Sequence, residues 1–388
     1  MSTLPASYDG VAITTPVTIG YERKSRHGAQ YYAGRALRAL IEGAGIEKAD
    51  VDGLAMSSFT LAPDTVVAMT AYLGLSPRWI EDVPTGGASG VMTLSRAARA
   101  IQAGDADIIA CIAADTDGGF RDLVANFSTF SKDAIYPYGG AGPNGVFAMI
   151  TRHYMEQFGA TREDFGRLCV AQRRNAMTNP HAVMKKPMTL DDYMAARPVA
   201  EPLHLLDCVM PCAGAEAFLV MSTDRAKSLG LAHATVRGVV ERHNAYPQDP
   251  VPTRGGWAME RDRLYAQAGL GPEDMDFLQT YDDYPVIALM QIEDLGFCAK
   301  GEGPAFLRET DLTVGGDLPH NTSGGQLSAG QAGAAGGYLG LVEAIRQLTG
   351  QAQGTRVEDA RFGLVSGYGM VIYDRCLCTG AAILGRAE

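Results

Sequence analysis

No stretch of the chain reaches the roughly eighteen consecutive apolar residues that a membrane-spanning helix needs, and Met1 to Ile19 has no charged segment running into an apolar one. Neither a spanning helix nor a secretory leader is expected, which points to the cytoplasm. Long basic runs are missing too. Lys and Arg number 33 against 44 Asp and Glu, a formal net charge of −11, which argues against a nucleic-acid backbone as the main partner. The seven cysteines, Cys111, Cys169, Cys208, Cys212, Cys298, Cys376 and Cys378, form no C-x-x-C and have no matching His spacing. That pattern argues against a zinc site and against a secreted disulfide framework. No metal and no bound cofactor is expected. Ser89 lies in no G-x-S-x-G elbow, and no base for it is evident.

What is present is ordinary globular material. With 388 residues, 46% of them hydrophobic, the chain can bury a sizeable core without staples. It also repeats itself. Ala44-Gly45-Ile46 followed by Asp50-Val51-Asp52-Gly53-Leu54 recurs, with the same internal spacing, as Ala268-Gly269-Leu270 and Asp274-Met275-Asp276-Phe277-Leu278. Each copy follows a helical pattern, so Gly45 and Gly269 sit where a helix end wants a left-handed residue. Each then enters an extended stretch. Gly86 to Gly90 leads into an amphipathic helix and the apolar run Asp107 to Ala114, and Gly324 to Gly340 leads similarly toward Phe362 to Val365. Alternating strand and helix patterns predict an α/β fold, duplicated. Three units are expected: an N-terminal half over 1–117, an inserted loop domain over 118–223 and a C-terminal half over 224–388.

Four motifs carry candidate chemistry. Gly140 to Gly145 matches G-x-G-x-x-G, but the acid that follows, Asp164, comes after one helical pattern with no second strand, so dinucleotide binding is not expected. Thr85 to Gly90 places glycines at a strand-to-helix junction, where backbone amides at Gly87 and Ala88, with Ser89, could face an oxyanion; a tight turn that needs small residues is the alternative. His320 to Gln331 packs His320, Asn321 and Gln331 among Gly324, Gly325 and Gly330, a polar, glycine-rich loop fit to hold a carbonyl oxygen. Tyr281-Asp282-Asp283-Tyr284 ends the strand of the second repeat and makes an acid/base cluster, with helix capping as an equal contender.

Taken together, these elements resemble the thiolase superfamily, in particular its sterol-carrier-protein-thiolase-like and lipid-transfer-like branch. The landmarks are Val51-Asp52-Gly53-Leu54, the Gly86 to Gly90 turn, Glu201-Pro202-Leu203 through Asp207 with Gly214-Ala215-Glu216-Ala217, Glu293-Asp294-Leu295-Gly296-Phe297, and Asn321 to Gly330. The resemblance implies the thiolase fold, a five-layer αβαβα arrangement of two five-stranded sheets with an inserted loop domain. It also implies a homodimer that takes acyl-CoA. It equally exposes departures. Where ordinary thiolases read C-x-S-G, this chain reads Gly87-Ala88-Ser89-Gly90, so the acyl-accepting cysteine is a glycine. The G-H-P position is Gly330-Gln331-Ala332, the N-E-A-F position is Tyr281-Asp282-Asp283-Tyr284, and Leu364 to Gly369 lacks the C-terminal cysteine.

The expected activity is therefore the making or breaking of a C–C bond beside a CoA thioester without a cysteine nucleophile, of the aldolase or retro-aldol type, or an atypical acyl transfer. Tyr281 is the expected acid/base, helped by Asp283 or His320. Gln331 and the Gly87 and Ala88 amides are expected on the thioester oxygen, with Ser89, Asn321, Gly324 and Gly325 around the substrate. The alternative is a catalytically silent subunit that binds acyl-CoA or an active partner, and a third option uses a displaced thiol at Cys208, Cys212 or Cys298. By resemblance a small OB-fold, zinc-ribbon protein is a candidate partner.

Overall fold

Both copies of the repeat enter one continuous sheet. The computed structural model describes residues 7–117, 136–139, 142–372 and 375–387. Its strands are β1 Val11–Glu22, β2 Gly53–Ser57, β3 Trp79–Asp82, β4 Ile108–Asp115, β5 Pro198–Ala200, β6 Leu203–His204, β7 Ala213–Ser222, β8 His233–His243, β9 Phe277–Gln279, β10 Phe362–Ile372 and β11 Arg375–Arg386. Nine of them hydrogen-bond in the order β3-β2-β4-β7-β1-β8-β11-β10-β9, while β5 and β6 form a separate ribbon. Each half repeats one plan: β2 and β9 are parallel to β4 and β10, which are antiparallel to β7 and β11.

The halves join along a short antiparallel seam, Ala12↔Thr235, Ile13↔Ala234 and Thr14↔His233. This differs from two separate five-stranded sheets. The first half has five strands; in the second, the counterpart of β3 shrinks to a single parallel bridge, Leu278↔His320.

Helix Ala29–Ala44 covers the outer face of the first half-sheet, where Leu37 and Leu40 pack with Leu54, Ile108 and Leu219. It stops at Gly45, φ 62°, and its counterpart Trp257–Ala268 stops at Gly269, φ 65°, as a left-handed end requires. Between the half-sheets lie helices Ser89–Ala103 and Gly336–Thr349, whose Leu94, Ala97, Tyr338 and Leu341 share a core with Phe218 of one half and Val365 of the other. Strand β4 is buried along its whole length, which explains why it reads as an unbroken apolar run. The result is the five-layer αβαβα arrangement. Among the described residues no helix is long and apolar enough to cross a membrane.

The middle segment departs from its expected limits. Helices Gly142–Phe158, Arg162–Ala176 and Leu190–Met194 and the β5–β6 ribbon do form an insertion. Ala213–Ser222, however, is a core strand paired with both β1 and β4, so the insertion ends before it rather than at 223. Of the G-x-G-x-x-G match, Gly140 and Ala141 lie outside the described residues, and Gly142 to Gly145 open a helix.

Candidate active site

The glycine at the nucleophile position is filled from elsewhere in the chain. Gly87 lies in the turn Gly86–Ala88 that feeds helix Ser89–Ala103. A Cβ placed on it would fall into the phenol ring of Tyr281, against Cε2 and Cζ, and onto the Tyr368 carbonyl oxygen. Only a residue without a side chain fits, because the Tyr281 ring stands where a thiol would project.

Tyr281 is buried and held at both ends. Its main chain is clamped by the Gln291 amide, which accepts from the Tyr281 N–H at 3.2 Å and donates to the Tyr281 carbonyl at 2.7 Å. Ser366 donates to the same Gln291 oxygen at 2.7 Å. At the other end, Gln331 Nε2 donates to the phenol oxygen at 3.0 Å. Gln331 is itself fixed by main-chain bonds, its N–H to the Met210 carbonyl and its carbonyl from the Cys212 N–H, both at 2.9 Å. Sequence reasoning missed Gln291 and Ser366; the signal was a lone amide in the otherwise apolar first turns of helix Pro285–Asp294.

With the phenol oxygen accepting from Gln331, its proton is free for an acceptor. Asp283 is the carboxylate whose charge acts on it. Burial, then the charge of Asp282, pushes the Asp283 carboxyl well above the usual range, and a hydrogen bond from Tyr281 pulls it partly back. Its Oδ1 is buried with no partner. Burial, then the Asp283 charge, likewise raises the Tyr281 phenol. Asp282 points the other way, accepting the Gln326 and Leu327 amides at 2.9 and 3.3 Å. It caps the short helix Gly325–Ala329, and burial pushes it up to about 7. The capping role thus falls to Asp282, on the helix Gly325–Ala329 rather than on the next helix, Pro285–Asp294.

Other expected members of the site do not join Tyr281. His320 Nε2 pairs with Thr280 Oγ1 at 2.8 Å, and burial drives its pKa down to about 3, so it is a neutral group at the sheet edge. Asn321 Oδ1 accepts the Thr280 N–H at 2.9 Å, and its Nδ2 lies toward Asp282 and Gly325. Gly324 and Gly325, at φ 101° and 58°, shape the turn that Asp282 caps. The Ser89 hydroxyl donates to the Ala334 carbonyl at 3.5 Å, and the Ala88 amide is spent on the Thr85 carbonyl at 3.2 Å. Those donors serve packing of the turn. No group of three or more metal-ligating side chains occurs among the described residues.

The displaced-thiol option finds no activated sulfur. Burial raises Cys208 and Cys298 to about 12 and pushes Cys212 up as well, which leaves the nucleophilic thiolate scarce near neutrality.

Comparison with known proteins places the chain in a family. A family model described as thiolase C-terminal domain-like matches residues 238–386. The chain is 34% identical to a steroid side-chain-cleaving aldolase of Thermomonospora curvata over 369 residues, 90% of this chain and 92% of the relative. It belongs to the thiolase superfamily. Its place is the branch that also contains sterol-carrier-protein thiolases. A 17-hydroxy-3-oxo-4-pregnene-20-carboxyl-CoA lyase of Mycobacterium tuberculosis is 34% identical, covering 85% of this chain and 89% of the relative. The solved structure of an Ltp2-ChsH2(DUF35) aldolase superposes with a TM-score of 0.84 at 32% identity, covering 98% of this chain and 99% of that one.

Proposed function

We propose that this thiolase-superfamily member is a CoA-thioester aldolase that cleaves, or in reverse forms, the Cα–Cβ bond of a β-hydroxyacyl-CoA. One observation carries the reading: the Tyr281 ring occupies the space of the missing thiol, with its phenol oxygen accepting from Gln331, and the charge of Asp283 acts on that phenol. In the cleavage direction the Tyr281–Asp283 pair takes the β-hydroxyl proton. The Cα–Cβ electrons move onto the thioester as an enolate, the β-carbon leaves as an aldehyde or ketone, and the α-carbon takes back a proton. Atoms and charge balance with acid/base groups alone, so the scheme asks for no cofactor. The relatives named as aldolase and lyase support it. Purified protein incubated with β-hydroxyacyl-CoA esters should release a carbonyl compound and a shortened acyl-CoA; absence of both, with a partner subunit added, would sink the reading.

The base works only when deprotonated, and burial raises Asp283. Activity should therefore climb with pH, with its acid limb above the ordinary carboxylate range near 4. Asp283→Asn should remove that limb and lower kcat/KM by about 10²-fold or more. A pH–rate profile checks both, and an unaltered limb in the variant would reassign the base.

We further assign the protein a homodimer and a small OB-fold, zinc-ribbon partner. The second is supported by the solved relative, whose name joins Ltp2 to ChsH2(DUF35). For the first, β3 is an edge strand with Ile80 exposed, beside exposed Val67 and Tyr72 of helix Val66–Leu73, an edge that a second copy can cover. Light scattering should read two chains, and Tyr72→Glu with Ile80→Lys should weaken the dimer about tenfold or more. Seven free thiols support a reducing compartment, the cytoplasm.

A further inference from the structure

The polar, glycine-rich loop that begins at His320 is fastened rung by rung to the strand end that carries Tyr281. The Asn321 N–H donates to the Leu278 carbonyl, and Asn321 Oδ1 accepts the Thr280 N–H, both at 2.9 Å. His320 Nε2 pairs with Thr280 Oγ1 at 2.8 Å. Further along, Asp282 accepts the Gln326 amide at 2.9 Å and the Leu327 amide at 3.3 Å. Tyr281 lies between these rungs, and its hydroxyl accepts from Gln331 at 3.0 Å.

Tyr281 and Gln331 are otherwise held by different parts of the fold. Gln291, on helix Pro285–Asp294, clamps the Tyr281 main chain, whereas the Gln331 main chain is bonded to Met210 and Cys212 at the end of the insertion. Neither support alone sets the gap between phenol and amide. Asp282 ties the two together. It is the residue next to Tyr281, and helix Gly325–Ala329, whose Gln326 and Leu327 amides it holds, runs through Gly330 directly into Gln331. The chain thus closes a ring, from Tyr281 through Asp282, the helix, Gly330 and Gln331 back to the Tyr281 hydroxyl.

The ring is tightly built. Asp282 and Gln326 are each only 1% exposed, so the amide bonds between them are shielded from water and strengthened by it. A Cβ on Gly325 would fall onto Asp282 Oδ2 and lie 2.8 Å from Asn321 Nδ2, and the residue stands at φ 58°. Glycine alone satisfies both demands. Gly330, at φ 112° and ψ 165°, also adopts backbone that is essentially reserved for glycine. The turn is therefore set before a substrate arrives, as alignment of a reacting hydroxyl requires.

We propose that Asp282 is a positioning residue for the reaction at Tyr281: by holding the Gln326 and Leu327 amides it fixes Gln331 against the phenol, without itself touching substrate. The inference rests on the aldolase reading above and adds the part that aligns its acid/base group. It also gives the polar loop a purpose. Its glycines and side chains frame the tyrosine, and the carboxylate beside that tyrosine is where the frame is fastened.

The test is a double-mutant cycle on the full-length protein, with Asp282→Asn, Gln331→Leu and the pair. Two readouts are taken: kcat and KM for carbonyl release, and NMR of protein labelled with carbon-13 at tyrosine Cζ, in which Tyr281→Phe identifies the Tyr281 signal by its loss. Asp282→Asn keeps the shape of the side chain and one acceptor. It should lower kcat by about tenfold to a hundredfold, the cost of a misplaced group, and leave KM within about twofold of wild type. The Tyr281 signal should move as it does in Gln331→Leu, and in the pair neither readout should change beyond Gln331→Leu alone. Where Asp282→Asn does not fold, Asp282→Ser, which still accepts one amide, is read in the same way. Wild-type kcat with an unmoved signal overturns the proposal. So does a further, additive loss in the pair, which would make Asp282 a support of the fold at large. The NMR arm needs no turnover, so the expected shifts in a protein that releases no carbonyl product keep the role of Asp282 and lose the aldolase assignment.

Discussion

Replacing Tyr281 by Phe is expected to lower kcat/KM by about 10²–10⁴-fold, the usual range for removing a positioned acid/base group. The variant isolates the hydroxyl. The ring still fills the space beside Gly87, and the Gln291 clamp acts on the main chain. What is lost is the acceptor for Gln331 Nε2 and the ionisable phenol on which the Asp283 charge acts. Gln331 is partly exposed, so its freed amide can turn to water, and the fold should lose no more than about 1 kcal/mol. Carbonyl release and a urea melt measured together decide the matter. A Tyr281→Phe protein as active as wild type would mean that the phenol only plugs the old thiol site.

A second large effect is expected at Gly87, on stability rather than rate. Restoring the family's cysteine by Gly87→Cys should cost about 3 kcal/mol or more, the upper part of the range for overpacking a tight core. It should also yield no acyl-enzyme. A new Cβ must displace the Tyr281 ring and the Tyr368 carbonyl oxygen. The ring can be removed but the carbonyl cannot, so Gly87→Cys/Tyr281→Ala should recover only part of the loss. Tyr368 stacks on Trp257 at 5.8 Å between ring centroids, which resists a shift of its main chain. Urea denaturation gives the stabilities, and mass spectrometry after incubation with acyl-CoA reports any acylated thiol. A single variant as stable as wild type would show that the ring moves freely aside, and the steric account of the missing nucleophile would fail.

The same pair of residues marks the limit of reading the chain as a string. That Gly87 replaces a thiol is visible in sequence, because a motif is a local fact. That Tyr281 fills the gap is not, since it depends on two turns from different halves meeting through β10. His320 shows the converse: its polar, glycine-rich neighbourhood suggests chemistry, yet the fold turns its ring onto Thr280 and buries it neutral. Among the neighbouring acids, alternation along an extended chain predicts that Asp282 faces away from Tyr281 and Asp283. Which face holds the chemistry depends on the helix Gly325–Ala329, whose amides claim Asp282. Strand β7 was hidden for a related reason. Its apolar run is as legible as that of β4, but it follows a long insertion, and nothing local says that it returns to pair with β1 and β4.

The sequence by itself determined the duplicated α/β plan, the helix ends at Gly45 and Gly269, and the absence of a thiol nucleophile, since these follow from periodicity, backbone freedom and residue identity. Tertiary structure alone decided that a tyrosine stands in the sulfur's place and that Asp282 is claimed by the amides of Gly325–Ala329. Contacts between distant segments are fixed by strand order and packing, and neither is written into the spacing of neighbouring residues.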